Sequence, residues 1–205
     1  TPATTLEDAA RAAVALCRGK GTGAKAPTLT PKLAAAGRAK ARRFSKSQRL
    51  VCGLYSGGTL CQEASLILSG GAKYTTIDLG DDEFTVGRPH PMIDFRLRNE
   101  RIVTAAKDAE TAVILLDVVL GYGAHPDPAG ALVPAIEAAT RAAAKTGRSL
   151  AVVASVCGTP TDPQGLAGQE KQLAAAGVLL APSNAQAARL AASLVGNGRP
   201  TRKRG

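Results

Sequence analysis

The sequence has no tryptophan, and aromatic residues make up only 3% of it. A core built from such a chain has to be aliphatic, packed from Ala, Val, Leu and Ile, which suits a sheet covered by Ala-rich helices. The shortage also argues against a surface that stacks nucleic-acid bases, because Phe44 alone interleaves the basic clusters. There are two histidines, His90 and His125, far apart and without a carboxylate cluster, so no metal site is expected. No Ser-His-Asp set is identifiable either. The four cysteines, Cys17, Cys52, Cys61 and Cys157, show no CxxC spacing. Three of them sit in apolar runs or helical patterns, a usage that fits a reducing cytoplasm rather than a disulfide framework. No signal peptide is visible, and the longest apolar candidate, Thr111–Leu120, is interrupted by Asp117, so no membrane partner is expected.

Positive charge is what the chain has in excess, with a formal net charge of +10. Most of it lies before residue 50 and after Gly196, while the middle is nearly balanced. That distribution reads as a solvated basic arm and tail, and nucleic acid is not the expected partner. The run Gly19–Lys25 superficially looks like a P-loop, but it lacks the G-K-[ST] ending and follows a helical pattern instead of a strand.

From Leu50 onward the pattern becomes regular. Five short apolar runs (Leu50–Tyr55, Tyr74–Leu79, Ala112–Leu116, Leu150–Val156 and Val178–Ala181) alternate with helical patterns over Leu60–Leu68, Asp94–Lys107, Asp127–Lys145, Leu166–Ala176 and Ser183–Val195. Near-continuous apolar strands alternating with helices predict an α/β fold: a flavodoxin-like five-stranded parallel sheet in the order 2-1-3-4-5, with helices on both faces. Pro134 interrupts the third helical pattern, so that helix either begins at Pro134 or is kinked there. Asp81–Ile93 reads as a surface loop. Ahead of the sheet, Thr4 or Thr5 caps a helix whose Leu6, Ala9, Ala10, Ala13, Val14 and Cys17 form one apolar stripe, expected to pack on another surface. A second helix runs from Pro31 to about Phe44.

Ligands of such sheets bind outside the carboxyl ends of the strands, near the reversal of strand order. Ser56, Gly57, Gly58 and Thr59 follow the first strand and open a helix, so their amides and hydroxyls are the expected phosphate seat. Asp117 ends the third run, where ligand contact and loop anchoring are both open. His125 belongs to the following loop, as a proton-transfer group or a buttress of its turn. Cys157, Gly158 and Thr159 end the fourth strand; Cys157 has no identifiable base beside it and reads first as structural. Glu63 lies one turn into the first sheet-covering helix, on the side that can reach the strand ends.

These residues carry a resemblance. Gly53–Glu63 resembles the S-x-S-G-T-L-x-x-E turn in the carboxy-terminal ligase domain of the succinyl-CoA synthetase alpha subunit. The stretch from about Arg49 to Val195 is similar to that domain in FdrA proteins, a divergent acyl-CoA-synthetase-like branch. The matching motifs are Arg88–Asp94, Ala112–Pro128, Ser155–Thr159, Asp162–Gly165 and Ala181–Ala188. The resemblance implies a domain (49–196) that binds phosphate or an acyl phosphate at Ser56–Thr59, with Glu63, His125 and Asp117 as catalytic candidates. Cys157, Gly158, Thr159 and Asn184 become substrate contacts. It further implies that residues 1–48 are a helical basic connector from a missing amino-terminal CoA-binding domain, that 197–205 is a disordered basic tail, and that the chain, lacking an initiator Met, is a fragment. CoA would bind through the missing domain, with a small-molecule substrate, and other subunits or a second copy as partners. The synthetases hold their phosphorylated histidine after the fourth strand, where Cys157–Gly165 has none, so the phosphohistidine relay is not expected. FdrA-type proteins are also tied to an oxamate carbamoyltransferase in allantoin and purine breakdown, a second implied function. A non-catalytic assembly module, the arm docking on an acidic partner, is the third.

Overall fold

The computed structural model describes residues 3–21 and 29–196; the tail at 197–205 and most of the Gly/Lys-rich loop lie outside the described residues. In chain order the elements are α1 (Leu6–Cys17), α2 (Pro31–Ala41), β1 (Leu50–Tyr55), α3 (Gly58–Leu68), β2 (Lys73–Asp78), α4 (Asp82–Thr85), α5 (Arg96–Ala105), β3 (Thr111–Val119), α6 (Pro128–Lys145), β4 (Ala151–Cys157), α7 (Leu166–Ala175), β5 (Leu179–Ala181) and α8 (Asn184–Val195). The sheet has five strands in the order β2-β1-β3-β4-β5, all paired parallel. This is the expected doubly wound order.

Alternation along the strands divides the core. Val51, Tyr55, Val113, Leu115 and Val153 pack with Ala64, Leu68 and Leu190 on the α3 and α8 side. Cys52, Leu54, Ile114, Leu116 and Val152 pack with Ile102, Ile136 and Leu173 on the α5, α6 and α7 side. Side chains of period two, buried on both faces, are what force the near-continuous apolar runs. Gly53 gives up its side chain to this packing: a Cβ there would lie 3.0 Å from the Tyr55 ring and 3.0 Å from Thr76 Cγ2.

Tyr55 is fully buried, with a hydroxyl that lacks a hydrogen-bond partner. Burial, more than the neighbouring charge of Asp117, pushes its pKa well above the ordinary value of 10.0. The sign for stability follows. Nothing is lost below pH 10, but above it the unfolded chain can release this proton and the folded chain cannot, so stability falls as pH rises. Replacing Tyr55 by Phe is expected to flatten the alkaline side of the stability curve, read by urea unfolding at a series of pH values between 8 and 11.

Several boundaries differ from expectation. β3 runs through Asp117 to Val119, because Asp117, Val118 and Val119 keep their pairing with Ser155, Val156 and Cys157. α6 is one helix of 18 residues that begins at Pro128, with Asp127 accepting the Gly130 amide at 3.0 Å, so it does not start at Pro134. Pro134 lies on the exposed side, where loss of one main-chain hydrogen bond is offset by water. The predicted loop at 81–93 contains the one-turn α4.

The arm diverges most. α2 packs on α8, and Gly37 is the close contact: a Cβ there would lie 2.9 Å from Leu190 Cδ1 and from Leu194 Cδ2. The apolar stripe of α1 is not covered by the described residues of this chain. Leu6, Ala9, Ala10, Ala13, Val14 and Cys17 are all exposed, and the residues facing the domain are Glu7, Asp8, Ala12 and Ala15. The helix docks through polar contacts at its capped end, where Thr5 is buried, and its apolar stripe faces outward. No helix among the described residues is long and apolar enough to cross a membrane.

Candidate functional site

The strand-order reversal lies between β1 and β3, and there the structure departs from the simplest expectation. Asp117 is fully buried at the end of β3, and a carboxylate removed from water has to find donors. It finds them in the Gly-rich turn. Asp117 Oδ1 accepts the Ser56 amide at 2.9 Å, and Oδ2 accepts the Gly57 amide at 2.9 Å and the Ser56 hydroxyl at 3.0 Å. Arg98, also fully buried, supplies the counter-charge from α5 at 2.6 Å. The same guanidinium donates to the main-chain oxygens of Leu54 (2.9 Å) and Asp117 (2.5 Å). Burial pulls the Arg98 pKa down, and Asp117 opposes that pull. Of the expected phosphate seat, the Ser56 and Gly57 amides are therefore occupied by the protein itself. Asp117 anchors the loop.

The rest of that seat is open. α3 starts at Gly58 with no side-chain cap, and among the described residues the amides of Gly58, Thr59 and Leu60 meet no acceptor. They form the positive end of an 11-residue helix. Asp78 stands beside them, for a Cβ on Gly58 would lie 2.5 Å from its Oδ2, and it also accepts the Gly80 amide at 2.9 Å.

Next to this turn a cavity of about 360 Å³ opens at the ends of β4 and β5. Its walls bring together four residues singled out from the sequence: Glu63, Cys157, Gly158 and Asn184. Glu63 is buried, and its two oxygens are engaged. Oε1 accepts the Leu6 amide at 2.6 Å, and Oε2 accepts Asn184 Nδ2 at 2.7 Å. Asn184 donates as well to the Leu60 carbonyl at 2.9 Å, which ties α8 to the first turn of α3. Cys157 is an exposed free thiol, whereas burial raises the Cys61 thiol of α3 to about 11. No histidine lines this cavity.

Two expected residues fall elsewhere. His125 packs edge-on against Phe95 with ring centroids 5.3 Å apart, and its Nδ1 accepts the Asp127 amide at 3.0 Å, which buttresses the entry to α6. It lines a separate groove with Asp94 and Asn99 on the α5 side. Thr159 sits in an exposed loop, its amide on Asp162 at 2.5 Å and its hydroxyl 3.0 Å from that of Thr161. What the sequence reading missed is Arg98 and the α1 contact. Arg98 precedes Ile102 by four residues on the buried side of α5, and an acid inside an apolar strand calls for such a partner.

Among the described residues, no group of three or more His, Cys, Asp or Glu is placed to hold a metal ion. The arrangement offers instead a helix end for an anion beside a cavity with a fixed carboxylate–amide wall.

The family model described as CoA-ligase matches residues 54–194, from the end of β1 through α8. A curated Escherichia coli (strain K12) protein, printed as "Uncharacterized protein YahF", is 37% identical over 178 aligned positions, which cover 76% of this chain and 35% of that protein. The chain thus spans about a third of the length of that relative.

Proposed function

Because this chain belongs to the CoA-ligase family, we propose that it is the phosphate-handling domain of an acyl-CoA-synthetase-like protein of the FdrA branch. The observation that carries the reading is the set of acceptor-free amides at Gly58, Thr59 and Leu60 beside the cavity walled by Glu63 and Asn184. A phosphate or acyl phosphate bound there would be held by main-chain donors and the α3 dipole, with the acyl end lying toward Cys157 and Asn184. Glu63 and Asn184 would set the shape of the wall and exclude water. CoA, the acid substrate and the subunits that complete the centre belong to the same proposal, CoA being held by a domain outside this chain.

One observation favours a second reading. The loop after β4, Cys157–Gly165, has no histidine to carry a phosphoryl group. A transfer from carbamoyl phosphate needs an anion seat and no covalent phosphoenzyme, and the carbamoyltransferase function fits that pattern.

Thermal unfolding with inorganic phosphate, acetyl phosphate and carbamoyl phosphate tests both. Each ligand that binds the folded state stabilises it, by about 2.7 kcal/mol when present at 100 times its Kd. The expected result is a rise in Tm that Gly58→Val removes and Asp78→Asn enlarges. Preference for carbamoyl over acetyl phosphate selects the second reading. No rise in the unmodified chain with any of the three sinks the phosphate seat.

A further inference from the structure

α1 ends in a contact that the α3 turn does not explain. Its Glu7 carboxylate reaches the N-terminus of α8, where it accepts the Ser183 hydroxyl at 2.8 Å and the Gln186 side-chain amide at 2.9 and 3.2 Å. Arg11, one turn along α1 itself, donates to the same carboxylate at 3.0 Å. Burial alone would raise the Glu7 pKa, but the hydrogen bonds from Ser183, Arg11 and Gln186 outweigh it and hold the group below its ordinary value of 4.5. α8 is a helix of 12 residues, and among the described residues its Asn184 and Ala185 amides meet no acceptor. An acid on the protein's own arm therefore sits at the positive end of a second helix.

A separate observation points to a ligand. Asn184 is only 6% exposed and lines the cavity, yet its Oδ1 is buried without a hydrogen-bond partner. The Nδ2 bonds to Leu60 and Glu63 fix which way the amide points, so the unmet need is for a donor. The groups that shut this corner, Leu6 and Glu7, belong to a helix that buries none of its residues. When α1 lifts, Arg11 leaves with it. The group that now fills the corner is a single carboxylate, so a ligand of one negative charge matches it.

We propose that the N-terminus of α8 is a binding seat for a small monocarboxylate, now filled by Glu7 as an internal competitor, and that Asn184 Oδ1 receives an O–H or N–H donor on the carbon beside that carboxylate. This goes beyond the phosphate reading and does not depend on the α3 amides. The first turn of α1 is then a plug, and ligand and plug exclude each other.

The test is an NMR titration of the chain and its Glu7→Ala variant with glycolate, acetate and inorganic phosphate. Removing the competitor raises the fraction of open seat, and apparent affinity rises in proportion, by an expected factor of about ten or more. The variant should bind glycolate more tightly than the unmodified chain does, and more tightly than acetate, with shifts centred on the Asn184 and Ala185 amides. Ser183→Asp added to Glu7→Ala keeps a good helix cap but puts a charge in the seat, and should abolish binding. Gly58→Val should leave these values unchanged, so this result is read apart from the phosphate test. Equal glycolate affinity with and without Glu7, shifts centred on Gly58–Leu60, or a preference for phosphate would each overturn the proposal.

Discussion

Replacing Asp117 by Ala is expected to remove about 3–5 kcal/mol of unfolding free energy, a large share of the roughly 5–15 kcal/mol that keeps an ordinary domain folded. The figure does not come from the attraction between Asp117 and Arg98, which desolvation of the two groups largely cancels. It comes from what is left behind. Arg98 is completely buried, and without the carboxylate its charge keeps the main-chain oxygens of Leu54 and residue 117 and the Phe95 ring 5.9 Å away, none of them an anion. The Ser56 and Gly57 amides lose their acceptor in the same step. Urea denaturation of the single variant measures the loss. The paired variant Asp117→Asn with Arg98→Met removes both charges while keeping one acceptor for the turn, and should recover part of it. A single variant that loses less than about 1 kcal/mol would show that water reaches Arg98.

Gly37→Leu should be the next most damaging change, and its effect should be local. The Gly37 position faces Leu190 and Leu194 so closely that even a methyl must push their side chains aside. A leucine overpacks the contact, at about 1–3 kcal/mol, and the cheaper response is for α2 to come off α8. The expected signature is fast hydrogen exchange across α2 with protection retained in α8 and β3. Uniform loss of protection, or none, would place the docking of α2 elsewhere. Gly37→Ala is the milder control, since better helix propensity offsets part of the crowding.

Both changes touch features that a single sequence exposes unevenly. Strand order was legible because β3 and β4 are apolar at nearly every position and alternate with helices, and such a pattern leaves few right-handed topologies. The rule about carboxyl ends was equally productive for Cys157 and Gly158, which meet Glu63 and Asn184 in one cavity, Asn184 having been singled out by the resemblance alone. It was less so for His125, because that rule says which edge a residue occupies but not which side of the sheet its loop falls on. The Gly-rich turn shows another limit. Its donors were evident, but whether they meet a ligand or Asp117 depends on a contact between residues 61 positions apart. The Glu7 contact to Ser183 spans 176 positions and had no local signal at all. α1 illustrates why periodicity alone misleads: its six apolar residues share one side of the helix, but an apolar stripe does not say whether this chain or another molecule covers it.

Asp117 also sets how the two helical layers can influence each other. The turn that leads into α3 grips this carboxylate from one side of the sheet, and Arg98 grips it from the layer that holds α5. The sheet keeps those layers apart, but they share this joint. A shift of the turn is expected to move the carboxylate and its buried partner together, because leaving the pair would strand an ion away from water. Such a displacement is expected to reach α5, whose Asn99 lines the groove that contains His125.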